Sequence, residues 1–187
     1  NGTNLKFVKL VNPKWNPTGD LIAYESGPRD GKGGLVISRT DGSLVGFYQI
    51  GPGVPNEFIW SSPNTVLGRG NDHNMYELNT STGVVRYLTN QIAVNLAATN
   101  DGRLVYLGGD TLNNAGIYVS DLEGRNEQRI LARTDTNQNY RDLNVSSDGW
   151  IAYTQIETRS GKAYGQIRKI RLDGTGDQLL YMNGDGT

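Results

Sequence analysis

LVISRTDGSLVGFYQI (residues 35–50) reads as two short apolar strands folded back on each other at Asp41-Gly42, and the same arrangement returns along the chain. MYELNTSTG (75–83) runs into VVRYLT (84–89), IYVSDLEG (117–124) precedes EQRILA (127–132), and IRKIRLDG (167–174) precedes DQLLYM (177–182). The turn glycines Gly42, Gly83 and Gly124 lie 41 residues apart, and Gly174 follows after 50. A period of about 40 residues built from strands is the mark of propeller blades.

Working outward, each unit opens with a further strand, turn and strand: KWNPTGDLIAYES (14–26), FIWSSPNTVLG (58–68), VNLAATNDGRLVYLG (94–108) and LNVSSDGWIAYTQ (143–155). Gly19, Pro63-Asn64, Asp101-Gly102 and Asp148-Gly149 supply the turns, since these residue types tolerate or impose the required backbone angles. The second strands (LIAY, LVYL, IAY) are apolar with little alternation, as expected of sheets covered on both faces. The fold class predicted is therefore all-β: a β-propeller of four visible four-stranded blades, standing alone or as part of a larger ring. The blades fall at about 13–50, 56–89, 92–132 and 140–180, within a single propeller-type domain over residues 1–187. The segment LKFVKLV (5–11) extends the first strand, closes a ring, or belongs to a preceding blade. Arg125–Asp148 lacks Gly and Pro but has no apolar residue between Arg133 and Asn139, so it offers no helical stripe.

Composition narrows the function. Lys plus Arg number 18 against 19 Asp plus Glu, so no bulk pull toward nucleic acid is expected. The absence of cysteine removes disulfides, thiolate metal sites and cysteine nucleophiles. No stretch approaches the roughly 18 apolar residues of a helical span, so membrane insertion is not expected. A chain beginning at Asn1 rather than methionine points to a processed form or an excised piece.

PKWNPTGDLIAYES (13–26) followed by LVISRTDG (35–42) resembles the TolB-like propeller repeat, in which Pro-x-Trp-Ser-Pro-Asp-Gly leads to Ile-Ala-Tyr and then a strand ending in Asp-Gly. Pro13, Trp15, Pro17, Gly19, Ile22, Ala23 and Tyr24 match. The second unit keeps Trp60 and Pro63, and the third and fourth keep Asp101-Gly102 and Asp148-Gly149 without the tryptophan. The resemblance covers about 170 residues. It implies a binding scaffold, periplasmic or extracellular, in rings that usually have six to eight blades; it implies no particular ligand.

Candidate chemistry is sparse. His73, the single histidine, sits in GRGNDHN (68–74) beside Asp72, where the two could form an acid/base pair or ligate a metal, against the simpler reading of a polar loop. Pectin-fragment lyases among the TolB-like proteins are implied to use several histidines, and one histidine argues against that activity. No Gly-x-Ser-x-Gly motif occurs. Asp173-Gly174-Thr175-Gly176-Asp177 resembles part of a calcium loop without its closing glutamate, and is read as a hairpin turn. Trp15, Trp60 and Trp150 are expected in the blade core rather than as sugar platforms. Arg159, Lys162, Arg168, Lys169 and Arg171 make the fourth unit basic, as a solvated strand face or a contact for an acidic protein surface. No enzyme activity, cofactor or metal is expected.

Longer polar loops on a rigid scaffold are where binding resides. The connections between second and third strands read as SGPRDGKGG, GRGNDHN, GGDTLNNAG and QIETRSGKAYG. Ligand-binding candidates there are Arg29, Asp30, Arg69, Asp72, His73, Asp110, Asn114, Arg159 and Tyr164. The expected function is a noncatalytic module for recognising another protein. The alternatives are a glycan-binding or substrate-gating accessory domain of a secreted enzyme, and a structural surface or filament subunit whose blade edges pair between copies.

Overall fold

A computed structural model describes residues 10–29, 32–52, 57–72, 74–89, 94–109 and 111–183. It shows four antiparallel sheets of four strands each, every sheet ordered as the chain runs. The first holds β1 (Leu10–Trp15), β2 (Leu21–Arg29), β3 (Lys32–Arg39) and β4 (Leu44–Tyr48). The second holds β5 (Glu57–Ser62), β6 (Thr65–Arg69), β7 (Met75–Asn79) and β8 (Val85–Thr89). The third holds β9 (Val94–Ala98), β10 (Arg103–Gly108), β11 (Gly116–Asp121) and β12 (Gln128–Ala132). The fourth holds β13 (Gln138–Val145), β14 (Trp150–Arg159), β15 (Lys162–Arg171) and β16 (Gln178–Asn183). Of the predicted amino-terminal segment, residues 5–9 lie outside the described residues.

Four Asp-Gly turns and one Glu-Gly turn set the register. At Arg39, Thr99, Asp121, Ser146 and Arg171 the backbone carbonyl accepts the N–H of the glycine three residues on, while the same residue's N–H reaches the carbonyl four residues on. Gly42, Gly102, Gly124, Gly149 and Gly174 all have φ between 73 and 84°. This is the three-residue hairpin loop in which a type I turn ends on a left-handed glycine. The side chains before these glycines tighten it: Ser146 Oγ donates to Asp148 (2.5 Å) and accepts the Trp150 N–H (2.9 Å). Thr99 repeats both bonds with Asp101 and Arg103.

Sheets bury both faces where the sequence lost its alternation. Val66 and Leu67 on β6, and Leu104 through Leu107 on β10, are all buried. The chain divides into two compact units, Asn1–Asn90 and Gln91–Thr187, each holding two sheets and a core. In the first unit Ala23, Leu35 and Ile37 pack with Phe58, Trp60, Val66 and Leu78, with Ile50 of the connector among them. In the second, Val105, Leu107, Ile117 and Val119 pack with Tyr140, Ile151, Tyr153 and Ile170. Each fully buried side chain of this size contributes about 1.5–3 kcal/mol.

Polar ties join the sheets within each unit. Trp60 Nε1 donates to the Lys14 carbonyl (2.9 Å), Lys14 Nζ donates to the Phe58 carbonyl (2.7 Å), and Asn16 Nδ2 donates to the Pro63 carbonyl (3.0 Å). In the second unit the Asp142 N–H donates to Asn95 Oδ1 (3.0 Å). Asn12, Asn95 and Asp142 occupy one repeat position, four residues before Asn16, Thr99 and Ser146. All three have left-handed φ, 53, 55 and 56°, and each lies where the pairing of the first two strands of its sheet slips into a bulge. Asn and Asp tolerate that conformation better than other residues with a side chain.

Two expectations are corrected. SGPRDGKGG and QIETRSGKAYG are paired strand for most of their length: Arg29 faces Lys32 and Arg159 faces Lys162 across hairpin ends. At the second, Ser160 and Gly161 both have positive φ, 48 and 77°, which fits a two-residue turn whose twist matches the strands. The tryptophans also divide. Trp60 is 9% exposed and in the core, Trp15 is 59% exposed, and Trp150 is half-buried with Lys169 Nζ and Arg171 Cζ each 4.2 Å from its ring centre.

Candidate functional site

Strand order places the chemistry. Because each sheet is an antiparallel meander, the tight turns after its first and third strands gather at one end, the turn end. The connections after its second strand and on to the next sheet gather at the other, the loop end. The candidate binding residues among the described residues belong to the loop end of one unit or the other.

In the first unit, Arg69 closes β6, and Asp72 lies exposed in the connection to β7. Asp72 Oδ2 accepts the Tyr76 hydroxyl (2.7 Å) and Asn74 Nδ2 (2.8 Å). These donors, Tyr76 first, hold its carboxyl below the usual carboxylate range, and the same bond pushes the Tyr76 phenol up. Tyr76 also meets Tyr87 edge to face at 5.8 Å. Its ring fills the space over Gly51, where a Cβ would come within 2.5 Å. The connection is thus a fixed turn around Tyr76. Arg29 ends β2 of the first sheet, while Asp30, His73 and Asp110 lie outside the described residues.

In the second unit, Asn114 Oδ1 accepts both the N–H and the hydroxyl of Thr111 (2.8 Å each), and its carbonyl accepts the Tyr118 hydroxyl. Arg159 and Tyr164 stand on β14 and β15. Arg159 forks onto Glu157 (2.7 and 2.8 Å), lowering that carboxyl, and lies 6.0 Å from the Tyr164 ring centre. The structure therefore groups Asp72 with Tyr76, and Arg159 with Tyr164, and gives Asn114 a separate local turn.

A cavity of about 250 Å³ opens at this loop end, between the third and fourth sheets. Asn95, Arg133, Asn139 and Arg141 face it, over a floor of Leu107, Ala115, Gly116 and Tyr140 and a rim at Gly108–Gly109. Sequence reasoning missed Arg133 and Arg141 because they belong to the blade-joining stretch RTDTNQN and to the first strand of the next sheet, whereas the candidates come from the connections between second and third strands. Close packing keeps the wall bare of side chains: a Cβ on Gly109 would lie 2.1 Å from the Asn114 carbonyl oxygen, and one on Gly116 would lie 2.2 Å from that of Leu131.

The carboxylates of the calcium-like stretch are already engaged by donors of the chain. Asp173 Oδ1 accepts the Thr175 N–H (2.9 Å) and hydroxyl (2.7 Å). Asp177 accepts the Tyr153 hydroxyl (2.8 Å) and pairs with Arg168 (2.8 Å).

No family model matches the chain, and no curated protein matches it. Solved structures do. A protein assigned as TolB from Agrobacterium tumefaciens superposes with TM-score 0.69 at 16% identity, over 94% of this chain and 66% of that one. TolB from Acinetobacter baumannii gives 0.65 at 19% identity, over 92% and 43%. The C-terminal WD40 domain of Sif2 gives 0.62 at 13%, over 95% and 58%. The chain spans about half the length of these structures. Identities this low speak for architecture alone, and on that ground, with four meander sheets and the Asp-Gly turns in place, the chain has the TolB-like β-propeller fold.

Proposed function

We propose that the chain is a noncatalytic recognition module, acting outside the cytoplasm, that binds another protein at its loop end. The observation that carries this is the contrast between the two ends. Both ends of the second unit carry a recess, but the one at the turn end is lined by Asp101, Arg103 and Asp148, which are paired within their own hairpins, whereas the one at the loop end is lined by two arginines that have no carboxylate partner among the described residues. The likeness to TolB and WD40 structures supports it as an analogy of scaffold. Asp72 and Glu157 are held as carboxylates and the Tyr76 phenol is held protonated, which suits contact better than proton transfer at neutral pH. In a photo-crosslinking assay on a secreted-protein extract, Asn114→Ala and Arg159→Ala at the loop end of the second unit should each weaken capture, and Asp148→Ala at the turn end of the same unit should not. Equal capture by both sets defeats the reading.

One observation favours a structural subunit as the second reading. Leu179, Leu180, Tyr181 and Met182 of β16 are all 43 to 60% exposed on an edge strand that carries no charge and no proline. Such an edge pairs readily with another chain. Light scattering across a concentration range should then show growing assemblies that Tyr181→Lys suppresses; a concentration-independent monomer removes this reading.

A further inference from the structure

We infer that the cavity between the third and fourth sheets is a carboxylate socket, which takes one glutamate or aspartate side chain of a protein partner between Arg133 and Arg141. The inference rests on the recognition reading and names what that surface grips.

Charge is the first argument. Arg86, Arg103, Arg125, Arg159 and Arg168 are each ion-paired to a carboxylate of the chain. Arg133 and Arg141, the two charged residues among the described lining of the cavity, have no carboxylate partner among the described residues, and no described acid lines the cavity. Two cations facing one recess raise the local concentration of anions there.

Preorganisation is the second. Arg133 is fastened by Nε to the Asp135 carbonyl (3.0 Å) and by Nη2 to the Thr136 carbonyl. Its backbone N–H is spent on the Ala115 carbonyl (2.9 Å). A guanidinium has five N–H donors, so the two carbonyls fix its plane and leave Nη1 to donate to a ligand. A charge-assisted bond from a prepositioned arginine is stronger and more directional than a neutral one. Arg141 sits next to Asp142, whose N–H is tied to Asn95 Oδ1. That tie crosses from the fourth sheet to the third and sets the bulge from which Arg141 projects.

Size and surface choose the occupant. About 250 Å³ lies below the roughly 300–1,000 Å³ of small-molecule sites and suits one side chain entering from a larger surface. A uronate sugar carries the same carboxylate, but sugars want an open aromatic face. The one ring among the described wall residues, Tyr140, is 5% exposed, with its hydroxyl spent on the Ala132 carbonyl (3.0 Å).

The test is a 15N-amide NMR titration of the whole chain with three probes: acetyl-Glu-Glu-amide, acetyl-Gln-Gln-amide and digalacturonate. The expected result is saturable shifts at the Gly108, Gly109 and Gly116 amides with the glutamyl peptide, weakened about tenfold by Arg141→Gln and by added salt, with the glutaminyl peptide silent. Arg133→Gln should do the same; because it also releases the connector, the exposed Arg141 variant is the decisive one. Equal response to both peptides, or a response that Arg141→Gln leaves unchanged, overturns the inference. So does digalacturonate saturating these amides with the glutamyl peptide silent. If the socket fails while the crosslinking assay still maps the partner to the loop end, the recognition reading stands without it; if crosslinking also fails to map there, both fall.

Discussion

Gly102 shows how much one residue decides. Its φ is +81°, and a Cβ built there would meet no atom within 4 Å, so Gly102→Ala adds only the cost of a left-handed backbone. We expect about 1–2 kcal/mol lost, read as a lower urea midpoint, with Gly102→Asn recovering part of it. The aspartates of these turns share a second property. Arg103 and then Thr99 lower the Asp101 carboxyl, Ser146 lowers Asp148, and Thr175 lowers Asp173. A depressed folded-state value means that their support is complete above the ordinary carboxylate value of 3.8 and fades as pH falls through the lower folded one. Urea midpoints should therefore fall as pH drops below about 4, and the Thr99→Ala, Ser146→Ala double variant should show a shallower acid limb. These glycines and aspartates were legible in the sequence because turn chemistry is local. Asn12, Asn95 and Asp142 were not recognised: a single polar residue at a fixed offset has no apolar pattern to announce it, and only alignment of the repeats on Asn16, Thr99 and Ser146 brings them into line.

Among the elements, the β14–β15 hairpin departs furthest from expectation. Its strands run ten residues each, and its polar end looks like a loop because it extends past the core, where Glu157 and Arg159 satisfy each other beside Tyr164. Strand length there is set by the Ser160-Gly161 turn rather than by hydrophobicity, and a Ser-Gly pair in a polar stretch is equally compatible with a loop. The opposite end of the hairpin is anchored in the core. Tyr153 is buried, stacks edge to face on Tyr140 at 5.6 Å, and donates to Asp177. Its environment, burial first and then Asp177, pushes the phenol well up. Tyr153→Phe keeps the ring and removes the bond while Asp177 retains Arg168. A loss of about 1 kcal/mol by urea unfolding is expected, against several for Tyr153→Ala.

At the scale of the whole molecule, the 41-residue period foretold four meander sheets, since a repeat that cannot cover its own faces must stack. It did not foretell the pairing of sheets into two units, because the long-range contacts that define a unit leave no local signature. Each unit holds a closed core of its own. Phe58→Ala should cost about 3–5 kcal/mol, and hydrogen exchange should speed most in residues 57–89 and their partner sheet. Ile151→Ala should act chiefly on the second unit. Uniform acceleration across both would mean that the chain opens as one cooperative body. The hairpin turns themselves suggest a practical use. At Gly42, as at Gly102, an added Cβ meets nothing, and the Asp41-Gly42 turn projects from the end opposite the connections where the candidate binding residues cluster. A biotin-acceptor peptide or a dye grafted at that tip would immobilise the protein by its chemically quiet side, leaving the variable rim of that unit facing whatever flows over it.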